Sequence, residues 1–167
     1  MNIVLMSGIP GSGKSTYVKQ LQQKLGYYDV VVCSADHFFM VNGEYRFDVT
    51  KLGDAHGACL NRFTRWILKQ ADRSVPLTQS LASLDHVATL VVDNTNLSAV
   101  ELAPYVALAQ AFQMPCEIVT VLCDPSIAAA RNVHGVPEHA VKRMDEAIRN
   151  RQLPPFWSVT YTVIANE

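Results

Sequence analysis

The apolar run Ile3-Val4-Leu5-Met6 leads directly into Gly8-Ile9-Pro10-Gly11-Ser12-Gly13-Lys14-Ser15-Thr16. A turn built this way must find a use for its glycines, its lysine and its adjacent hydroxyls. The stretch meets the pattern G-x-x-x-x-G-K-[ST] at every fixed position, and that pattern describes a loop wrapped around phosphate. Gly8, Gly11 and Gly13 let backbone N–H groups approach phosphate oxygens closely, with Pro10 and Ser12 completing the loop. Lys14 supplies a cation that reaches the β- and γ-phosphates, and the Ser15 hydroxyl is placed to hold Mg²⁺. Thr16 follows at the start of a segment in which Val18, Leu21 and Leu25 recur at helical spacing. A helix starting there aims the positive end of its dipole at the same anion. The fixed positions arise by chance in roughly one chain of this length in two hundred, so a strand before and a helix after make the loop specific.

A chain of 167 residues with 49% apolar content can bury a full core and is expected to form a single domain over 1–167. Its net charge of −1 argues against a protein that coats nucleic acid nonspecifically, while a local patch that grips a strand end stays open. Cys33, Cys59, Cys116 and Cys123 form no C-x-x-C pair and read as reduced core residues. No apolar run is long enough to span a bilayer, and a first strand from about Asn2 leaves no room for a signal peptide. The expected location is therefore the cytoplasm, with no membrane partner.

Strand-like runs recur at Asn2 to Met6, Val30 to Cys33, Thr89 to Val92, Glu117 to Leu122 and Ser158 to Ile164. The first four are nearly continuous in apolar residues, as parallel strands covered on both faces require. The last alternates and reads as an edge strand with one wetter face. Helical patterns lie between them, at Ser15 to Leu25, about Val49 to Ala71, Ser98 to Phe112, Ser126 to Asn132 and Pro137 to Arg149. The alternation implies an α/β fold, a parallel sheet with helices on both faces. Ser74 to His86 reads as the softest stretch, and Val133 to Pro137 as a mobile loop.

Further stretches carry chemistry. Asp36 sits at the carboxyl end of the second strand, where ligands bind in open α/β sheets. A carboxylate there accepts a proton from an attacking hydroxyl, or else caps the turn that follows. Asp93 ends the apolar run Leu90-Val91-Val92, the placement of an acidic strand end that helps hold Mg²⁺. Asn94, Thr95 and Asn96 bring short polar groups to the crevice rim, and Ser98 is placed to cap a helix with Glu101. Gly43 to Asp48 reads as a turn. The helix that follows carries Arg62, Arg65 and Lys69 on one face, either a solvated stripe or a contact for a strand's phosphates. His56 lines an acceptor pocket or is hydrogen-bonded within the structure. Arg131, on a short helix that runs into the loop Val133 to Pro137, either suits a lid that brings a cation onto a transferring phosphoryl group or is a surface helix charge. Lys142, Arg143, Arg149 and Arg151 add to the positive field.

Taken together, GIPGSGKST, SADHFF, GEYRFD, Ala55-His56, DNTN, Pro104-Tyr105 and RNVHGVP resemble, in order and spacing, the kinase domain of the polynucleotide kinase family. The resemblance runs from Gly8 to Pro137. It implies a P-loop kinase fold with a five-stranded parallel sheet in the order 2-3-1-4-5, helices on both faces and a small helical lid at about 125–137. It further implies that Lys14 and Ser15 bind ATP and Mg²⁺, that Asp36 is the general base for a 5′-hydroxyl, that Asp93 organises the metal or acceptor site, and that Arg131 clamps the γ-phosphate. The partners implied are ATP and a single-stranded or end-exposed nucleic acid, and the chain leaves no room for an accompanying phosphatase or ligase domain.

The chain departs from the family in two places. His37-Phe38-Phe39 stands where bacteriophage-type members often carry an acceptor-binding arginine, and the lid shows Arg131 and then His134 where two arginines are common. Phe38, Phe39 and Tyr45 are available to stack on a base instead. A kinase of a small hydroxyl compound, such as a nucleoside, sugar or antibiotic, is the alternative on the same scaffold. A regulatory module that hydrolyses ATP slowly is a further one.

Overall fold

The computed structural model describes residues 1–71 and 88–166; the stretch Ser74 to His86 lies outside the described residues. Strand β1 (Asn2–Ser7) runs into the phosphate-type loop and helix α1 (Lys14–Leu25). Strand β2 (Val30–Cys33) is followed by a 3₁₀ turn at Ala35–Phe39 and a hairpin of β3 (Met40–Val41) and β4 (Glu44–Tyr45). A second 3₁₀ turn, Val49–Lys51, opens helix α2 (Leu52–Ala71). Strand β5 (Thr89–Val92), helix α3 (Ala99–Ala111), strand β6 (Cys116–Cys123), helices α4 (Pro125–Arg131) and α5 (Glu138–Arg149), and strand β7 (Thr160–Asn166) complete the chain.

The main sheet has the order β2-β5-β1-β6-β7, and every neighbouring pair is parallel. Counting only its five strands in chain order gives 2-3-1-4-5, as the resemblance implied. Alternation along β1 divides the core. Ile3 and Leu5 pack with Phe63, Ile67, Leu102 and Val106 of α2 and α3 on one face. Val4 and Met6 pack with Val18 of α1 on the other. A third cluster, Ile9, Cys123, Ala128, Val141 and Ile148, joins the glycine-rich loop to α4 and α5. All four cysteines are free and buried, in keeping with their reading as core residues.

Local signals account for the starts of α3 and α4. Ser98 and Glu101 form a reciprocal capping box at the start of α3. Asp124 caps α4 by accepting from Ser126 N and Ile127 N, with Pro125 in the first turn. Three expectations need correction. The last strand lies two residues later than expected, and its wetter face carries Tyr161 and Val163 while Thr162 turns inward to donate to Glu117 Oε1 at 2.6 Å. Gly43 to Asp48 is only partly turn, because Asn42 and Gly43, with φ of 53° and 84°, form a tight connection between β3 and β4. Phe39 is 3% exposed and packed among Phe38, Tyr45 and Phe47, so it belongs to the core rather than to a free stacking surface.

Candidate functional site

The C-terminal ends of β1, β5 and β2 converge on a cavity of about 780 Å³. Its lining includes Pro10, Gly11, Gly13, Lys14, Ser15 and Thr16 on one side, Asp36, Asp93 and His56 on another, and Arg131 and His134 from the segment after β6. Nearly all the residues expected to act in a site therefore share one space. Gly8 and Ser12, both expected to bind nucleotide, belong to the same loop without facing the cavity.

The glycine-rich loop is shaped for close approach. Gly11 has φ 80°, and a Cβ there would run into the carbonyl of Ala128 on α4. At Gly13, with φ 101°, a Cβ would meet the Asn166 side-chain amide. Asn166 Nδ2 donates to Ser12 O at 2.8 Å, so the end of β7 braces the loop from behind. Helix α1 begins at this loop with no side-chain cap and no acid in its first turn, which leaves its first N–H groups for an anion. Among the described residues, the buried Ser12 Oγ stands out as a side-chain oxygen lacking a hydrogen-bond partner.

Lys14 Nζ donates to the carbonyls of Gly8 and Ile9, each at 3.0 Å. Burial pushes its ammonium below the ordinary lysine range, against the pull of Asp93 and then Asp36. Ser15 Oγ donates to Asp93 Oδ2 at 3.0 Å. Burial pushes the Asp93 carboxyl up, while Lys14 and the Ser15 hydroxyl hold it down. A hydroxyl and a carboxylate touching beside a phosphate-shaped loop are the hard oxygen donors that suit Mg²⁺, which commonly takes one or two protein ligands and fills the rest with phosphate and water.

Asp36 is positioned from several directions. Ser34 Oγ accepts from Asp36 N at 3.2 Å, and this leaves the carboxylate free of the capping role. Tyr45 OH donates to Asp36 Oδ1 at 2.9 Å, and His134 Nε2 lies 3.9 Å from Oδ2. Burial first, and then the bond to Asp36, raises the Tyr45 phenol above its ordinary range. His134 reaches this position because Asn132 organises its loop, accepting from His134 N at 2.9 Å and donating to Val136 O at 2.9 Å. The His134 and Tyr45 rings lie 5.1 Å apart.

The residues after Asp93 tie these parts together. Asn94 Oδ1 accepts from Ala35 N at 2.9 Å, Thr95 O accepts from Gly8 N at 2.9 Å, and Asn96 Nδ2 donates to Met6 O at 2.7 Å. Arg151, expected in a phosphate field, instead donates to Ser7 Oγ and Asn96 O, each at 2.8 Å, and to Thr120 Oγ1 at 3.0 Å. Lys142 and Arg149 are likewise paired, with Glu138 at 2.8 Å and Asp145 at 2.7 Å. Asn166 and the structural role of Arg151 escaped sequence reasoning, because their partners lie 154 and 144 positions away, while Tyr45, read as a stacking aromatic, also donates to Asp36.

A parallel sheet of this order, with a glycine-rich phosphate-type loop after its central strand, defines the P-loop kinase fold. The chain belongs to the AAA domain family, whose family model matches residues 3–153. It is 35% identical over 150 residues to NEDD4-binding protein 2 of Homo sapiens, a match that takes in 86% of this chain and 7% of the length of that relative. Among solved structures, it resembles one of the Pnkp1/Rnl/Hen1 RNA repair complex, with TM-score 0.63 and 14% identity over 89% of this chain and 44% of that one. An unliganded sugar kinase from Janibacter sp. gives TM-score 0.57 and 16% identity over 99% and 85% of the two chains. Among the described residues no helix is long and apolar enough to cross a membrane.

Proposed function

We propose that this chain transfers the γ-phosphoryl group of ATP to the 5′-hydroxyl end of a nucleic acid strand. The observation that carries this reading is that Lys14, the Ser15–Asp93 pair and the Asp36 carboxylate line a single cavity. Loop N–H groups and Lys14 hold the polyphosphate, with Lys14 leaving its two carbonyl partners to do so. Ser15 and Asp93 are the residues that would hold Mg²⁺, which would supply positive charge against the phosphate oxygens. Asp36 accepts the proton of the attacking hydroxyl, and the Tyr45 hydrogen bond fixes the carboxylate's orientation. Arg131, on the lid formed by α4 and the following loop, stabilises charge on the transferring group.

The resemblance carried by SADHFF, DNTN and RNVHGVP supports the polynucleotide acceptor, as does the fold shared with the RNA repair complex. A second reading, a kinase of a small hydroxyl compound, draws on the acceptor wall itself. Phe39, Tyr45, Phe47, Leu52 and His56 line that side, and it offers no arginine or lysine among the described residues. The test is transfer of labelled γ-phosphate to 5′-hydroxyl DNA and RNA strands, 3′-mononucleotides, nucleosides and sugars. Label on the strands supports the first reading; label confined to nucleosides or sugars replaces it with the second. Asp36→Asn should lower transfer by about 10²- to 10⁴-fold with ATP affinity kept, and unchanged turnover would remove Asp36 as the base.

A further inference from the structure

We infer that a second groove, along the outer edge of β2, seats the single strand that leads to the reacting 5′ end. This rests on the polynucleotide reading above and adds to it the path of the acceptor. The groove has a volume of about 650 Å³, is floored by Val30, Val31 and Val32, and runs between α1 and α2. Ser15 and Asp93 line it as well as the main cavity, so the two spaces meet at the hydroxyl–carboxylate pair. The 3₁₀ turn after β2 divides its side chains between them: Asp36 faces the main cavity and His37 the groove.

The lining has the chemistry of a single-strand site. Lys19 and Arg62 bring cations from the two helices, and among the described lining residues Asp93, at the junction, is the one carboxylate. Burial and then Arg62 lower the His37 imidazole, against the pull of Asp36 and Asp93. Tyr27 and Tyr28 are 70% and 76% exposed and meet edge to face at 5.7 Å on a three-residue turn at the rim. Two adjacent tyrosines that bury so little contribute little to the core, yet they offer π faces to solvent. Trp66 on α2 lines the groove as well, with Lys69 Nζ 5.3 Å from its ring centroid. Cations that follow a backbone and aromatics that take up bases are the paired requirements for holding a single strand. Among the described residues, the wall of the main cavity that faces the acceptor carries no arginine or lysine, and the groove provides cations where the strand leaves the 5′ nucleotide. The Arg62, Lys69 stripe on α2 thus has a use beyond solvation.

The probe is 5′-hydroxyl oligothymidylate of about four to about sixteen nucleotides, labelled at its 3′ end and followed by fluorescence anisotropy and by phosphate transfer. Wild-type affinity should rise with length and then level off. A Lys19→Ala, Arg62→Ala double variant should flatten the slope of log K against log salt by about 1.4. Tyr28→Ala should weaken the longer strands by about fivefold or more. Acceptance of a 3′-mononucleotide, too short to follow the groove, should change little. Retention of ATP affinity shows that each variant is folded. If strands are phosphorylated but both variants bind every length as the wild type does, the groove assignment fails and the kinase reading stands. If strands bind through the groove and no nucleotide acceptor is labelled, the groove stands and the kinase reading fails. Absence of any length-dependent binding overturns the groove.

Discussion

Replacing Arg151 by Met tests whether the site is held together from beneath by one side chain. The guanidinium makes three hydrogen bonds to neutral oxygens in a half-buried position. Its partners Ser7, Asn96 and Thr120 are 0%, 2% and 1% exposed, so water cannot readily replace it. A bond from a charged donor is worth about 1.5 kcal/mol or more, and because the guanidinium is itself half-exposed and screened by water, the set comes to about 3 kcal/mol. Ser7 Oγ donates to Asn96 O at 3.0 Å and keeps that partner in the variant, so the loss should not greatly exceed this sum. Methionine preserves the aliphatic stem and leaves the measurement dominated by the lost bonds. Urea unfolding followed by circular dichroism should therefore show a loss of about 3 kcal/mol, and thermal unfolding a drop of about 6–12 °C. Arg151→Lys, which keeps the charge but not the planar fork, should recover only part of the loss. An Arg151→Met protein within about 1 kcal/mol of wild type would refute the reasoning.

Gly11→Ala forces an unfavourable φ and sets a methyl against the Ala128 carbonyl. It should cost more than about 1 kcal/mol and weaken ATP binding, and a variant with wild-type melting and ATP titration would show that α4 does not constrain the loop. Asn94→Ala removes the acceptor for Ala35 N. Transfer should fall with ATP affinity largely kept, and equal losses in both would mean that Asn94 supports the whole loop instead. Burial pushes the Cys33 and Cys116 thiols up to about 12. Above pH 9 the unfolded thiols ionise while the folded ones keep their protons, so stability is full below that pH. It should fall by about 1.4 kcal/mol per pH unit per thiol until about pH 12. Urea midpoints at pH 8 and 10 should show the fall in wild type and a smaller one in a Cys33→Ala, Cys116→Ala variant, and equal falls would rule out the thiols.

The strands, the α3 cap and the glycine-rich loop were legible in the sequence because each rests on a local pattern, whereas the sheet order followed from the family resemblance. Val-rich runs mark buried parallel strands, Ser98 and Glu101 lie at capping distance, and glycines, Lys14 and Ser15 occupy one short loop. The hairpin at Asn42 and Gly43 was equally local, an Asn-Gly pair between short extended segments, and was read only as part of a turn. Other features had no local signal. Arg151 reaches Ser7 across 144 positions and Asn166 reaches Ser12 across 154, and each looks like an ordinary polar residue until the sheet closes. Phe39 was misread for a related reason, since an aromatic close to Asp36 packs inward or outward according to which neighbours the hairpin brings.

The string Asp93-Asn94-Thr95-Asn96 shows why a short polar run can define a site. Asp93 ends the strand next to β1 and takes the Ser15 hydroxyl. Asn94 turns back to the segment that carries Asp36, Thr95 holds Gly8 at the mouth of the glycine-rich loop, and Asn96 grips Met6 and receives Arg151. These bonds run to different elements, so no one of them can shift without moving the others. The separation between phosphate loop and Asp36 is therefore set by the end of β5, a strand buried along its whole length, and not by either loop alone. The relative placement of Lys14, Asp93 and Asp36 is then a property of the sheet more than of any one loop.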